Sequence, residues 1–229
     1  MNTTQKTARM TGFLYLMVAI CSGFAYAIVH KNLVVAGNAA ATADNIIHNR
    51  GLFRLGLMLD LTGQVFFTLL PFYLYKILHR IQPNTAAWMA VLAWIGVPIA
   101  CINLVSQFAA GQLLSGAGYL SAFETDQLQA LSLLFLDIHA HGVLIAQIFW
   151  GIWLLPLGIL VYRSKFLPKF LAILLILSVG VYVIGSFVAF LAPRYAGAFG
   201  LMYIVPATAE LGMCLWLLIR GVKPLKRMK

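Results

Sequence analysis

Long apolar stretches alternate with short polar ones along this chain, and the apolar stretches outrun anything a water-soluble core would use. Six runs of near-uniform hydrophobicity fall at residues 10–29, 55–77, 87–113, 138–162, 170–192 and 199–219. A hydrocarbon core ~30 Å thick takes about 20 helical residues to cross, so each run has the length of a membrane span. Backbone amides in lipid have no water to bond, and the ten-residue alternation of a barrel strand is not seen, so the spans must be helices. The pattern predicts an all-α transmembrane bundle of six helices, forming a single integral-membrane domain over residues 1–229.

Finer features of the pattern give further expectations. Asn38 to Arg50 is Ala-rich in its first half, which favours a short helix; it is expected to lie at the membrane interface with Ile46 and Ile47 dipping in. Ser121-Ala-Phe-Glu124 has the spacing of a capping box, in which the Ser oxygen and Glu carboxylate satisfy free amides at a helix start. One helix from Ala122 to Tyr162 would be about 60 Å long at 1.5 Å per residue. An interfacial or tilted segment through Leu136 is therefore expected, with the crossing segment beginning near Ile138. Pro71, Pro98, Pro156 and Pro206 lie inside the spans and are expected to bend them. Most Trp and Tyr fall near span ends, as interfacial anchors do. Gly180, Gly185, Ala140 and Gly142 read as places of close helix approach.

Composition agrees with the pattern: 62% of residues are hydrophobic and 10% are charged, against about a quarter charged in soluble domains. Charge adds a direction. With the N-terminus inside, the inner segments hold Lys6, Arg9, Lys76, Arg80, Arg163, Lys165, Lys169, Arg220, Lys223, Lys226, Arg227 and Lys229, twelve of the sixteen basic residues. Lys31, Arg50, Arg54 and Arg194 remain outside. Cytoplasmic loops retain Lys and Arg, so both termini are expected on the cytoplasmic side. The same count makes residues 81–123 one span, since a second crossing would put the Arg163–Lys169 cluster outside.

The net charge of +10 thus reads as topology and not as nucleic-acid binding, with the tail from Lys223 to Lys229 suited to rest on anionic headgroups. Lys6 and Arg9 ahead of an apolar stretch and Ala25-Tyr26-Ala27 imitate a secretory signal. The apolar run of about 18 residues exceeds the usual 7–15 of a signal core, so it is read as a retained span. Cys21, Cys101 and Cys214 sit in three different spans with no metal-like spacing and read as packing residues.

Candidate chemistry rests on the ionisable and amide residues within the spans, because burying such groups in lipid is costly and they usually face the interior. Asp60 and Gln64, and likewise Asn103 and Gln107, are four apart and share a helix face. Arg54 lies one and a half turns before Asp60, and Glu210 sits near the middle of the sixth span. The densest polar group is Leu134-Phe-Leu-Asp-Ile-His-Ala-His-Gly142. Within it Asp137 and His141 share a face, while His139 points about 160° away from their midpoint. One helix cannot present all three to one ion, so His139, His141 and the loop residue His48 are only weak metal candidates. One expectation is that Asp60, Glu210 and the Asp137/His139 group converge on a polar cavity, with Arg54, Gln64, Asn103 and Gln107 around it. The other is that these residues only fix packing, with Arg54 neutralising Asp60 or Glu210.

The runs Ala8-Arg-Met-Thr-Gly-Phe-Leu-Tyr-Leu16, Leu33-Val-Val-Ala-Gly-Asn-Ala-Ala-Ala-Thr-Ala43, Leu134 to Gly142, Tyr162-Arg-Ser-Lys-Phe-Leu-Pro168, Phe190-Leu-Ala-Pro193 and Glu210-Leu-Gly-Met-Cys-Leu-Trp-Leu-Leu218 resemble the bacterial membrane family called domain of unknown function 4386. The resemblance runs in order through nearly the whole chain. It implies a multi-pass protein of the bacterial inner membrane and no established activity, cofactor or catalytic residue. Asp60, Asp137, His139 and Glu210 match family positions, whereas His141 stands where the family pattern has Tyr, and Gly185 where many members have Asp. Three functions stay open: a small transporter or sensor binding a small molecule or ion, a structural or regulatory membrane protein, and an intramembrane metal- or haem-binding protein. The chain lacks a phosphate-binding loop, a nucleophile elbow and detectable repeats, which points away from an ATPase, hydrolase or large carrier. Cofactor and oligomeric state are not legible.

Overall fold

The computed structural model describes residues 3–222, so the expected headgroup contact of the 223–229 tail lies outside the described residues. The described chain is helical: α1 (Thr3–Tyr26) continued by a π-helical turn (Ala27–Lys31), α2 (Ala39–His48), α3 (Arg50–Leu78), α4 (Pro83–Leu113), α5 (Thr125–Ile152), α6 (Leu154–Arg163), α7 (Lys169–Leu191), α8 (Ala196–Gly200) and α9 (Ile204–Ile219). Six stretches are long and apolar enough to cross a membrane, and only 28–44% of each apolar window is buried inside the protein. Leu191, Leu201, Ile102, Ile204 and Ile219 are among the apolar side chains left on the surface. Water would penalise that surface; a bilayer accommodates it. The chain is therefore a polytopic membrane protein with six candidate spans, and residues 83–113 form one helix as the charge count required.

Two compact units share these helices: residues 3–17, 66–97 and 144–222 make the first, and residues 18–65 and 98–143 make the second. In the first unit α7 packs against α6 and α9, around fully buried Leu154, Leu157, Leu160, Leu171 and Leu175. Small residues set how close the helices come. A Cβ on Gly12 of α1 would stand 2.7 Å from the Leu218 amide nitrogen and 3.0 Å from the Cys214 carbonyl of α9. Backbones touch there, and the Cys214 thiol donates to the Gly12 carbonyl at 3.3 Å, a packing role as expected.

Proline acts differently at each site. Pro71 and Pro98 lie within unbroken α3 and α4. Pro206 falls in the first turn of α9, where amides have no helical partner to lose. Pro156 follows the one interruption of the fourth span, at Trp153 between α5 and α6; its missing amide and its clash with the carbonyl four residues back account for the break. The segment through Leu136 is continuous with the one that follows it, since nothing between Leu136 and Ile138 removes a hydrogen bond and α5 runs from Thr125 to Ile152. Trp153 is not an anchor either. It is 1% exposed, its ring edge-on to Phe67 at 5.6 Å and near Tyr15 at 6.4 Å.

In the second unit the expected loop helix is present as α2, started by Asn38, whose side chain accepts from the Ala41 amide. Thr42 exchanges hydrogen bonds with both backbone groups of Val35, and the Asn45 amide donates to the Leu33 carbonyl. These ties turn Ile46 inward among Val29, Leu33, Phe53, Ala110 and Leu136. Ile46 is therefore a core residue, and only Ile47 stays exposed. The capping box also shifts. Ser121 sits in a 3-10 turn (Gly118–Ala122) and donates to the Gly118 carbonyl, and because α5 starts only at Thr125 it lies too far back to accept from the free amides. Glu124 takes the capping position instead, and the Gln127 side chain reaches back to its amide at 3.0 Å, the reciprocal half of a capping box.

Candidate functional site

Polar residues gather in two places, one in each unit. In the second unit, Asn103 of α4 and His139 of α5 grip one another. The Asn103 amide nitrogen donates to the His139 carbonyl at 2.8 Å, and His139 Nδ1 lies 3.1 Å from the Asn103 carbonyl and 3.2 Å from the Asn103 amide nitrogen. Donation of Nδ1–H to the carbonyl satisfies the geometry and leaves Nε2 as the acceptor. Gly142 makes the grip possible, because a Cβ there would fall inside the Asn103 amide.

His30 completes this layer. Its ring stacks on His139 at 5.5 Å with 11° between planes, and on Tyr26 at 5.6 Å. It is delivered by the π-helical turn that ends the first span; such turns re-aim a side chain and recur at functional sites. Sequence reasoning missed His30, whose one available signal was its place at the end of an otherwise uncharged run.

Gln107 lies one turn beyond Asn103 on the same face of α4. It is fully buried, and among the described residues neither its amide nitrogen nor its amide oxygen has a hydrogen-bond partner. Gln64 is buried as well, at 8% exposure. Asp60 is half-buried on the α3 face that carries Gly56 and Gly63, and those glycines meet Val29 and Cys21–Ser22 of the first span. Asp60 is thus turned toward that span.

The remaining expected residues go elsewhere. Asp137 and His141 are exposed while His139 is buried, as the helical spacing required. The expected Asp137/His139 group is therefore two opposite faces of α5, not one site. His141 bonds the Asp137 carbonyl and His48 the Asp44 carbonyl, ordinary bonds within a helix. Among the described residues, no three His, Cys, Asp or Glu side chains come together in a way that could hold a metal ion. Arg54 lines a cavity of about 360 Å³ with Arg50, and among the described residues it makes no ion pair with Asp60.

Glu210 belongs to the first unit and there takes a tyrosine partner. The Tyr182 hydroxyl donates to Glu210 Oε1 at 2.9 Å, so a neutral donor replaces the expected arginine. Tyr203 packs edge-on to Tyr182 at 5.7 Å and donates to Gln147 Oε1 at 3.0 Å. A Cβ on Gly185 would lie 2.8 Å from the Tyr203 hydroxyl, so the ring uses space that a side chain at 185 would fill. Tyr15 is buried nearby, within electrostatic reach of Glu210, and its hydroxyl has no hydrogen-bond partner among the described residues. Sequence reasoning missed these tyrosines, because a Tyr in an apolar run reads as an interfacial anchor until its neighbours are known.

Residues 10–221 match the family model described as domain of unknown function (DUF4386). The chain belongs to this family. No curated protein and no solved structure matches it. DUF4386 membership covers nearly the whole chain and both polar groups, and it assigns neither of them a role.

Proposed function

We propose that this DUF4386 protein is a small transporter or sensor of the bacterial inner membrane, with both termini in the cytoplasm, α2 at the outer interface, and polar side chains within the spans that bind a small polar solute or ion. Gln107 carries the reading. Each buried unmade hydrogen bond costs about 1–3 kcal/mol, and an amide kept only for packing would be paired, as Asn103 is with His139. An amide that spends stability without holding helices together is explained by a ligand that pairs with it. Asn103, one turn along the same face of α4, and His139 Nε2 beside it would receive that ligand next.

A proteoliposome assay with entrapped pyranine tests the transport form. A proton gradient is expected to dissipate with the intact chain and to persist with Gln107→Leu. Absence of flux across a broad solute panel sinks it.

The structural reading has its own support in the bonds between helices, Asn103 to His139 and Tyr182 to Glu210. It expects Asp60→Asn and Glu210→Gln to lower thermal stability in detergent and to leave every phenotype unchanged. Unaltered stability with a lost phenotype decides for the first reading.

A further inference from the structure

The second unit holds a cavity of about 360 Å³ lined by α3, by the end of α4 and by Ile46 of α2. Its lining has two cations, Arg50 and Arg54, and no acid. They are four apart and so lie on one face of α3, and Leu57 and Met58 follow along the same helix into the lining. Arg50 is held in place by donating from Nη2 to the Leu114 carbonyl at 3.0 Å. A guanidinium has five N–H donors, so most of its fork stays available. No described residue gives Arg54 an acceptor.

Beyond the arginines the wall turns apolar, with Phe108 and Met58 about half exposed at 54% and 50%. Gly111 opens the floor: a Cβ there would press on the Phe53 ring at 2.8 Å. The cavity is thus cationic at one end and apolar at the other, over about 12 Å of helix from residue 50 to 58 at 1.5 Å per residue. A free inorganic anion would use only the first end. A zwitterionic lipid would bring its phosphate together with an ammonium group, which a lining of two guanidinium groups and no acid disfavours.

We propose that this cavity binds an anionic glycerophospholipid. The phosphate lies on the Arg50 and Arg54 forks, which match phosphate oxygens in charge and geometry. One acyl chain runs along Leu57, Met58 and Phe108 and leaves toward the bilayer. The site is independent of the Gln107 group and of whether that group conducts.

The test uses the full chain in mild detergent, incubated with equal amounts of dioleoyl-phosphatidylglycerol and dioleoyl-phosphatidylcholine and read by native mass spectrometry. Phosphatidylglycerol is expected to be retained over phosphatidylcholine by about tenfold. Replacing both Arg50→Gln and Arg54→Gln is expected to remove the preference. Met58→Trp keeps both charges, fills the apolar end and is expected to lower retention of both lipids, which guards against misfolding of the double variant. Millimolar inorganic phosphate is expected to leave the bound lipid in place. Equal retention of the two lipids by the intact chain overturns the proposal, as does an unchanged preference in the double variant. Undiminished retention with Met58→Trp, or displacement by phosphate alone, overturns it equally.

Discussion

At the scale of single residues, placement within the bundle is decided by what a side chain can pair with. Asn103 and His139 cross-link α4 and α5 only because residue 142 has no side chain. Gly142→Ala is expected to dislodge the Asn103 amide and cost about 1–3 kcal/mol, seen as a lower melting temperature in detergent. Gly23→Ala, whose methyl would meet nothing within 4 Å, should be neutral or slightly stabilising, since Gly in a helix interior is itself unfavourable by about 0.5–1 kcal/mol. Tyr182→Phe removes the donor to Glu210 and is expected to destabilise by a similar ~1–3 kcal/mol. A double-mutant cycle with Glu210→Gln should return a coupling energy clearly different from zero.

Residue-level legibility followed helical geometry. That Asp137 and His141 would part from His139 was readable, because the angle between positions on one helix is fixed. That Glu210 would meet Tyr182, or His139 meet His30, was not, because such pairs depend on which helices become neighbours. The arginine expected to neutralise an acid went instead to a cavity wall. Opposite charge alone does not choose a partner when a tyrosine hydroxyl lies at hydrogen-bond distance.

At the scale of elements, the six long apolar runs were legible throughout, and their ends and breaks less so. Length and missing charge define a span, whereas a helix start depends on which of several side chains wins the free amides. Ser121 and Glu124 had the right spacing, yet the Ser hydroxyl closed its own 3-10 turn and Gln127 capped α5. Gln127→Ala is therefore expected to fray the first turn of α5 and lower stability by about 0.5–2 kcal/mol. Ser121→Ala should leave the exchange rates of amides 124–127 unchanged; hydrogen exchange read by mass spectrometry separates the two. The fourth span shows the same logic. A length argument asked for a tilted or interfacial lead-in through Leu136 but could not say where the helix itself breaks; backbone chemistry places that break beside Pro156, where an amide is missing.

At the scale of the whole molecule, apolar surface that only lipid can cover accounts for the composition, and the basic residues account for its proposed direction. In a chain with its own cysteines replaced, single cysteines at Asp44 or Asp126 should react with an impermeant maleimide from outside intact cells. One at Lys165 should react only after the cells are opened. Labelling in the opposite sense would reverse the topology.

The proposed binding role rests on the Gln107 amide, which is buried without a hydrogen-bond partner among the described residues. The decisive measurement is Gln107→Leu, read for melting temperature in detergent and for flux in proteoliposomes. The account predicts a melting temperature higher by a few degrees, as relief of ~1–3 kcal/mol implies, together with lost flux. A lower melting temperature with flux unchanged would contradict it.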